Sequence, residues 1–172
     1  MTMQTDVKAA YLNQTGFMLG SNRSRLKGIS AQGTANAGQI DLFATSVAPT
    51  AATYGQAGTT ITVTSVDHGL STGTKIGIAY SPGTGGTAMC GNTTITVTGD
   101  DTFTITCINS FTITAGAACR YVVDPNGWLS TLTLAAGDTF NNYYLIPGQG
   151  ILATNKVYCS MSNIRAVTIF YG

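Results

Sequence analysis

Glutamate is absent from this sequence of 172 residues, and other charge is scarce: eight Lys and Arg, seven Asp and one His, with 9% of residues charged. Globular domains usually carry about 25%. General acid–base chemistry therefore has little to draw on, because a catalytic pair or triad needs titratable groups within mutual reach. The lone His68 sits between Asp67 and Gly69. Neighbours along a chain rarely face one another, so Asp67 is badly placed to orient it, and a histidine that fills a loop hydrogen bond is the better reading. Metal sets are equally short of ligands. Cys90, Cys107, Cys119 and Cys159 show no Cys-x-x-Cys spacing, and one His does not complete a zinc site in the usual way. The adjacent Asp100 and Asp101 fall far short of the roughly six to eight oxygens that calcium takes, and suit a hairpin turn. No catalytic, cofactor-binding or metal-binding residue is assigned. No apolar run approaches the ~18 residues of a membrane helix. The opening Met1–Asp6 lacks a signal-peptide pattern, so synthesis in the cytoplasm without targeting is expected. A net charge of +1 points to neither nucleic acid nor an anionic membrane.

What replaces the charge is small and polar: 29 Thr and 21 Gly. Threonine is β-branched and suits a pleated surface, whereas the missing Glu and the few Lys are helix formers. Free soluble proteins spread charge over their surface, so its scarcity suggests a surface largely covered by partners or, as the second reading, a rigid Thr-rich exterior of the kind found on extracellular β proteins. Period-two alternation recurs along the chain and predicts strands. Early candidates are Gly16–Leu19, Ser24–Ser30 and Gly38–Phe43; late ones are Trp128–Leu134, Tyr143–Ile146, Lys156–Met161 and Ala166–Tyr171. Turn chemistry at Asp124-Pro125-Asn126-Gly127, Ala136-Gly137-Asp138 and Pro147-Gly148-Gln149-Gly150 separates the late group. Cys107 and Cys159 fall into such alternation and are expected as buried free thiols, with a disulfide within the middle region as the alternative.

The middle has another texture. Thr-Thr-Ile-Thr-Val-Thr occurs at Thr59–Thr64 and again at Thr93–Thr98, and Thr102–Thr106 is echoed by Ser110–Thr114. Apolar residues face one way and Thr the other, as in a half-buried antiparallel sheet. Neither flank alone has enough strands for a two-layer core, but joined they have about seven. The expectation is all-β: an antiparallel, jelly-roll-like β-sandwich of residues 1–53 plus 122–172, interrupted by a smaller Thr-rich β domain of residues 54–121. Within that insertion, Gly83-Thr84-Gly85-Gly86-Thr87 lacks the Gly-Lys-Ser/Thr ending of a phosphate loop and is expected as a mobile hairpin tip.

Two groups stand out as interface candidates. Arg23, Arg25 and Lys27 lie at spacing two, so an extended strand would project them from one face. They either dock on an acidic neighbour or simply keep an edge strand solvated. Tyr143 and Tyr144 are adjacent, so a strand must turn one outward as an anchor or sugar-stacking platform.

Both flanks resemble a family of small virion proteins of tailed bacteriophages. The residues that carry the likeness are Thr5-Asp6-Val7-Lys8-Ala9-Ala10-Tyr11 and Gly20-Ser21-Asn22-Arg23-Ser24-Arg25-Leu26-Lys27-Gly28-Ile29 at the start. At the end they are Tyr144-Leu145-Ile146-Pro147-Gly148-Gln149-Gly150-Ile151-Leu152, Lys156–Ile164 and Val167-Thr168-Ile169-Phe170-Tyr171-Gly172. Members of that family are shorter and lack the middle zone. The middle itself resembles a module of phage tail and decoration proteins through Ile61-Thr62-Val63-Thr64, His68-Gly69-Leu70-Ser71-Thr72-Gly73 and Asp101-Thr102-Phe103-Thr104-Ile105. It departs at Gly91-Asn92-Thr93-Thr94, where that module has an Asn-Gly-x-Tyr hairpin. The resemblance implies a non-enzymatic virion component without cofactor. Its first form is a head decoration (cement) protein that binds the major capsid protein, with a homo-oligomer, a trimer by analogy, as the expected state. The alternative it implies is a tail or fibre-associated protein that contacts host glycans or neighbouring tail subunits.

Overall fold

A computed structural model describes residues 7–19 and 23–172. The sequence positions Met1–Asp6 and Gly20–Asn22, which include part of the opening motif, lie outside the described residues. The fold is all-β and antiparallel, and none of the described residues is helical. The strands are β1 (Lys8–Leu12), β2 (Gly16–Leu19), β3 (Ser24–Gly33), β4 (Gly38–Ala44), β5 (Thr50–Thr64), β6 (Lys75–Tyr80), β7 (Gly91–Thr94), β8 (Thr96–Gly99), β9 (Thr102–Val122), β10 (Trp128–Leu134), β11 (Asn141–Leu145), β12 (Ile151–Ala153), β13 (Val157–Ser162) and β14 (Ile164–Tyr171). The chain divides into two compact units: Met1–Ala48 with Leu129–Gly172, and Pro49–Trp128. The boundaries differ from 53/54 and 121/122 because β5 pairs with β9 from its first residue, Thr50 opposite Tyr121. The Asp124–Trp128 turn also packs on that second unit, where the Trp128 N–H donates to Asn92 Oδ1 at 2.9 Å.

In the first unit the two ends of the chain pair directly. A five-stranded sheet runs β1-β14-β3-β11, with β12 also on β3, and a four-stranded sheet runs β10-β4-β13-β2. Inward side chains of both sheets form one core: Leu26, Ile29, Val167 and Ile169 from the first, Ile40, Leu42, Val157 and Cys159 from the second. Each such side chain contributes roughly 1.5–3 kcal/mol by burial. Leu26 and Ile29 are three apart yet both face inward, which strict alternation forbids. A register shift between Phe170 and Tyr171 resolves this, since the step from Gly28 to Leu26 on β3 spans two residues against one on β14. Lys27 occupies that bulge.

The second unit is one five-stranded sheet, β5-β9-β6-β7, with β8 on β9. It makes its own core by bending. Phe103 and Tyr121 lie 18 positions apart on β9, a span of about 60 Å if the strand were straight, yet their rings are 5.5 Å apart. Two register shifts cause the turn-back: Tyr54 and Gln56 oppose Ala117 and Ile113, and Gly58 and Thr60 oppose Phe111 and Thr106. β9 therefore carries two and then three residues more than β5, and these bulges bend the pair. Ile61, Val63, Phe103 and Ile105 from one arm then close over Tyr54, Ile76, Ile78 and Tyr121 from the other.

Candidate interface surfaces

The outer face of the five-stranded sheet follows from its register. One cross-strand row holds Ala9, Phe170, Gly28 and Leu145, and the next holds Tyr11, Thr168, Ser30 and Tyr143. Neither row contains a charge. Tyr11, Tyr143 and Leu145 are 64%, 58% and 71% exposed, where an open antiparallel face is usually polar. Exposed apolar side chains grouped on one face make it a candidate interaction surface. The face is also prearranged. Tyr143 lies over Gly28, where a Cβ would come within 2.8 Å of its hydroxyl, and its ring meets Phe170 at 5.6 Å, edge-on. A side chain already held loses less entropy when a partner arrives.

Of the five candidate residues, Arg25, Lys27 and Tyr143 belong to this outer side. Arg25 stands between the buried Ser24 and Leu26 and so points outward. Lys27 and Tyr143 line a hollow of about 360 Å³ with Val7, Leu145, Pro147 and Phe170. The Lys27 Nζ donates to the Gln149 carbonyl at 3.0 Å. One placement differs from the sequence-based expectation, and another decides which of the two tyrosines turns outward. Arg23 is exposed but precedes the strand, which begins at Ser24, so pleating does not align it with the others. Tyr144 turns inward against the core, leaving Tyr143 as the outward member of the pair.

In the second unit, the turns after β5 and between β8 and β9 form an acidic tip. Asp67, Asp100 and Asp101 are exposed there, and beside them Val66 is 77% exposed. Val66 was not singled out from sequence, although parity carries the signal: Ile61, Val63 and Ser65 face inward, so Val66 faces out. The tip is rigidly tied. The Asp67 N–H donates to Asp101 Oδ1 at 2.8 Å, and the Ser65 N–H donates to the Asp101 carbonyl at 2.8 Å. His68 Nδ1 accepts from the Leu70 N–H at 2.9 Å, so the proton belongs on Nε2, which donates to the Gly99 carbonyl at 3.1 Å. Its ring meets Phe103 edge-on at 5.5 Å. His68 thus fills loop hydrogen bonds and joins the two turns.

A cleft of about 480 Å³ also opens in the second unit, lined by Ile61, Tyr80, Met89, Ile105, Ile108 and Phe111 among others. Ile108, 96% exposed, sits among the three extra residues of β9. Sequence reasoning missed the cleft because Ile108 and Phe111 look like ordinary strand positions, and only the bulge pushes them out. Gln56 forms part of the wall, with its Nε2 donating to the carbonyls of Gly58 and Asn109, both at 2.9 Å. The Gly83–Thr87 segment is not a free tip, contrary to the expectation from its glycines. The Thr114 N–H donates to the Thr84 carbonyl at 2.9 Å, and a Cβ on Gly85 would collide with the Thr112 carbonyl oxygen. All four cysteines are free thiols. Burial pushes the thiols of Cys119 and Cys159 up to about 12. Cys107, expected as buried, is only half-buried, because the bulge that carries Ile108 begins beside it.

No family model matches the chain, and no curated protein matches it. Among solved structures it is similar to the phage phi92 endosialidase, at a TM-score of 0.31 and 19% identity, over 83% of this chain and 21% of that one. The chain thus spans about a fifth of that protein's length, and a likeness this slight carries no argument for fold or function.

Proposed function

We propose that this chain is a structural protein of a bacteriophage particle, a head decoration protein that binds the major capsid protein and works by association, without catalysis or cofactor. One observation carries the reading: a prearranged sheet face whose two cross-strand rows are uncharged, with Tyr11, Tyr143 and Leu145 exposed and Arg25 and Lys27 along one side. Such a face is costly on a free monomer and useful in an assembly, where its burial adds interface area and resists expansion of the shell. The likeness of both chain ends to small virion proteins supports the same reading. In this arrangement the nine-stranded unit attaches to the shell.

The test is to locate the protein on the particle. Gold-labelled antibody and a copy count per virion are expected to place hundreds of copies on the head. A few to a few dozen copies on the tail would replace this reading with a second one, a tail or fibre-associated protein. The apolar cleft with exposed Met89, Ile108 and Phe111 favours that second reading, since concave apolar sites accept ligands. Absence from particles would remove both.

A further inference from the structure

Charge is unevenly divided between the two units. The first, residues 1–48 and 129–172, holds six basic and three acidic residues; the second, residues 49–128, holds two basic and four acidic. The net charges are therefore +3 and −2. On the first unit Arg25 and Lys27 border the apolar sheet face, whose cross-strand rows contain no carboxylate. Of that unit's three aspartates, Asp41 is buried, the Asp138 carboxylate accepts from the Ala135 N–H, and Asp6 lies outside the described residues. On the second unit Asp67, Asp100 and Asp101 stand around the exposed Val66, on turns stiffened by the Asp101 and His68 hydrogen bonds. One surface is thus an apolar hollow edged by cations, and the other is an apolar knob edged by carboxylates.

We infer that copies of this chain bind head to tail, the Val66 knob of one seating in the hollow beside Tyr143 and Leu145 of the next. Lys27 and Arg25 then face the carboxylates of Asp67 and Asp100. Pairing the sheet face with its own copy would set Arg25 and Lys27 of one copy against the same cations of the other, with no carboxylate among the described residues of the two rows to offset them, which like-charge repulsion disfavours. Pairing knob with hollow matches sign with sign and apolar with apolar. The contact is heterologous, so the same pair of patches repeats from one copy to the next. This inference does not depend on the proposed role in a particle.

Sedimentation velocity of the full chain tests it. At about 0.05 M salt the chain is expected to form species larger than the monomer, which shrink toward the monomer at about 1 M as the screening length falls to ~3 Å. Lys27→Glu and Asp100→Lys should each weaken association by about tenfold or more. An equimolar mixture of the two variants should recover it, because the unaltered knob of one meets the unaltered hollow of the other. Circular dichroism melts check that both variants fold. Should either fail to fold, Arg25→Gln and Asp100→Asn replace them, with weakening expected from each and recovery on mixing. A chain that stays monomeric at low salt overturns the inference. So does association that ignores salt and both reversals, or a mixture no stronger than its components.

Discussion

Asp41 is the one charged side chain in the buried class among the described residues. Its carboxylate accepts from Gln39 Nε2 at 2.9 and 3.0 Å and from Thr131 Oγ1 at 2.8 Å. Hydrogen bonds to a charged group are worth roughly 1.5–3 kcal/mol, and removing the acceptor leaves buried donors behind. Asp41→Ala is therefore expected to lower stability by about 3 kcal/mol in urea unfolding, well beyond the effect of Thr131→Val. The buried thiols give a pH dependence. Both states keep the proton below pH 9; between 9 and about 12 the unfolded chain releases it while folded Cys119 and Cys159 retain it. The unfolded state then binds fewer protons, so stability falls as pH rises through this window. Urea midpoints should drop from pH 9 to 11, less so in a Cys119→Ala, Cys159→Ala variant. A thiol reagent should modify Cys90 and Cys107 quickly and the other two only on unfolding. Cys159 was legible from its alternation with Val157 and Met161; Cys107 was misread because a bulge leaves no mark in the pattern of residue types.

Identical strings need not make identical elements. In the hexapeptide at Thr59–Thr64, Thr59 sits at a register shift and Thr60–Thr64 pair with β9 in unbroken register. The same six residues at Thr93–Thr98 break between β7 and β8 at Ile95, whose backbone bonds instead to Gly73 and Thr74. The local pattern predicted which side chains turn inward, Ile61 with Val63 and again Ile95, but pairing is decided by neighbours distant in sequence. β6 was invisible for the opposite reason. Ile76–Tyr80 is buried at every position, so its second face carries Gly77 and Ala79 instead of the polar residues that would betray a period of two. A Cβ on Gly77 would strike the backbone of Trp128. The docked Gly83–Gly86 turn yields an element-scale prediction. Gly85 has φ +102 and no room for a Cβ, whereas Gly86 has φ +135 with nothing within 4 Å. Gly85→Ala should cost about 2–3 kcal/mol and Gly86→Ala about 1 kcal/mol in thermal melts. Equal losses would mean that the turn does not pack on β9.

At the scale of the whole molecule, β10 lies beside β4, and Thr131 on one bonds Asp41 on the other. The chain leaves the first unit just after β4 and re-enters at β10, two neighbouring strands of one sheet. Replacing Pro49–Trp128 by a short Asn-Gly turn should therefore leave a chain that folds to the nine-stranded unit, read by circular dichroism and a single urea transition. The pairing of β1 and β3 with β14 also sets a timetable. Lys8 must wait for Tyr171, and Ile29 for Ile169, before either finds its place in the sheet. Loops that long close slowly. On the ribosome the Thr-rich hairpin can finish while the first strands remain single, their apolar edges exposed to any chaperone or stray neighbour. The risk of misassembly is therefore concentrated in the first forty-odd residues, until the last strand emerges to cover them.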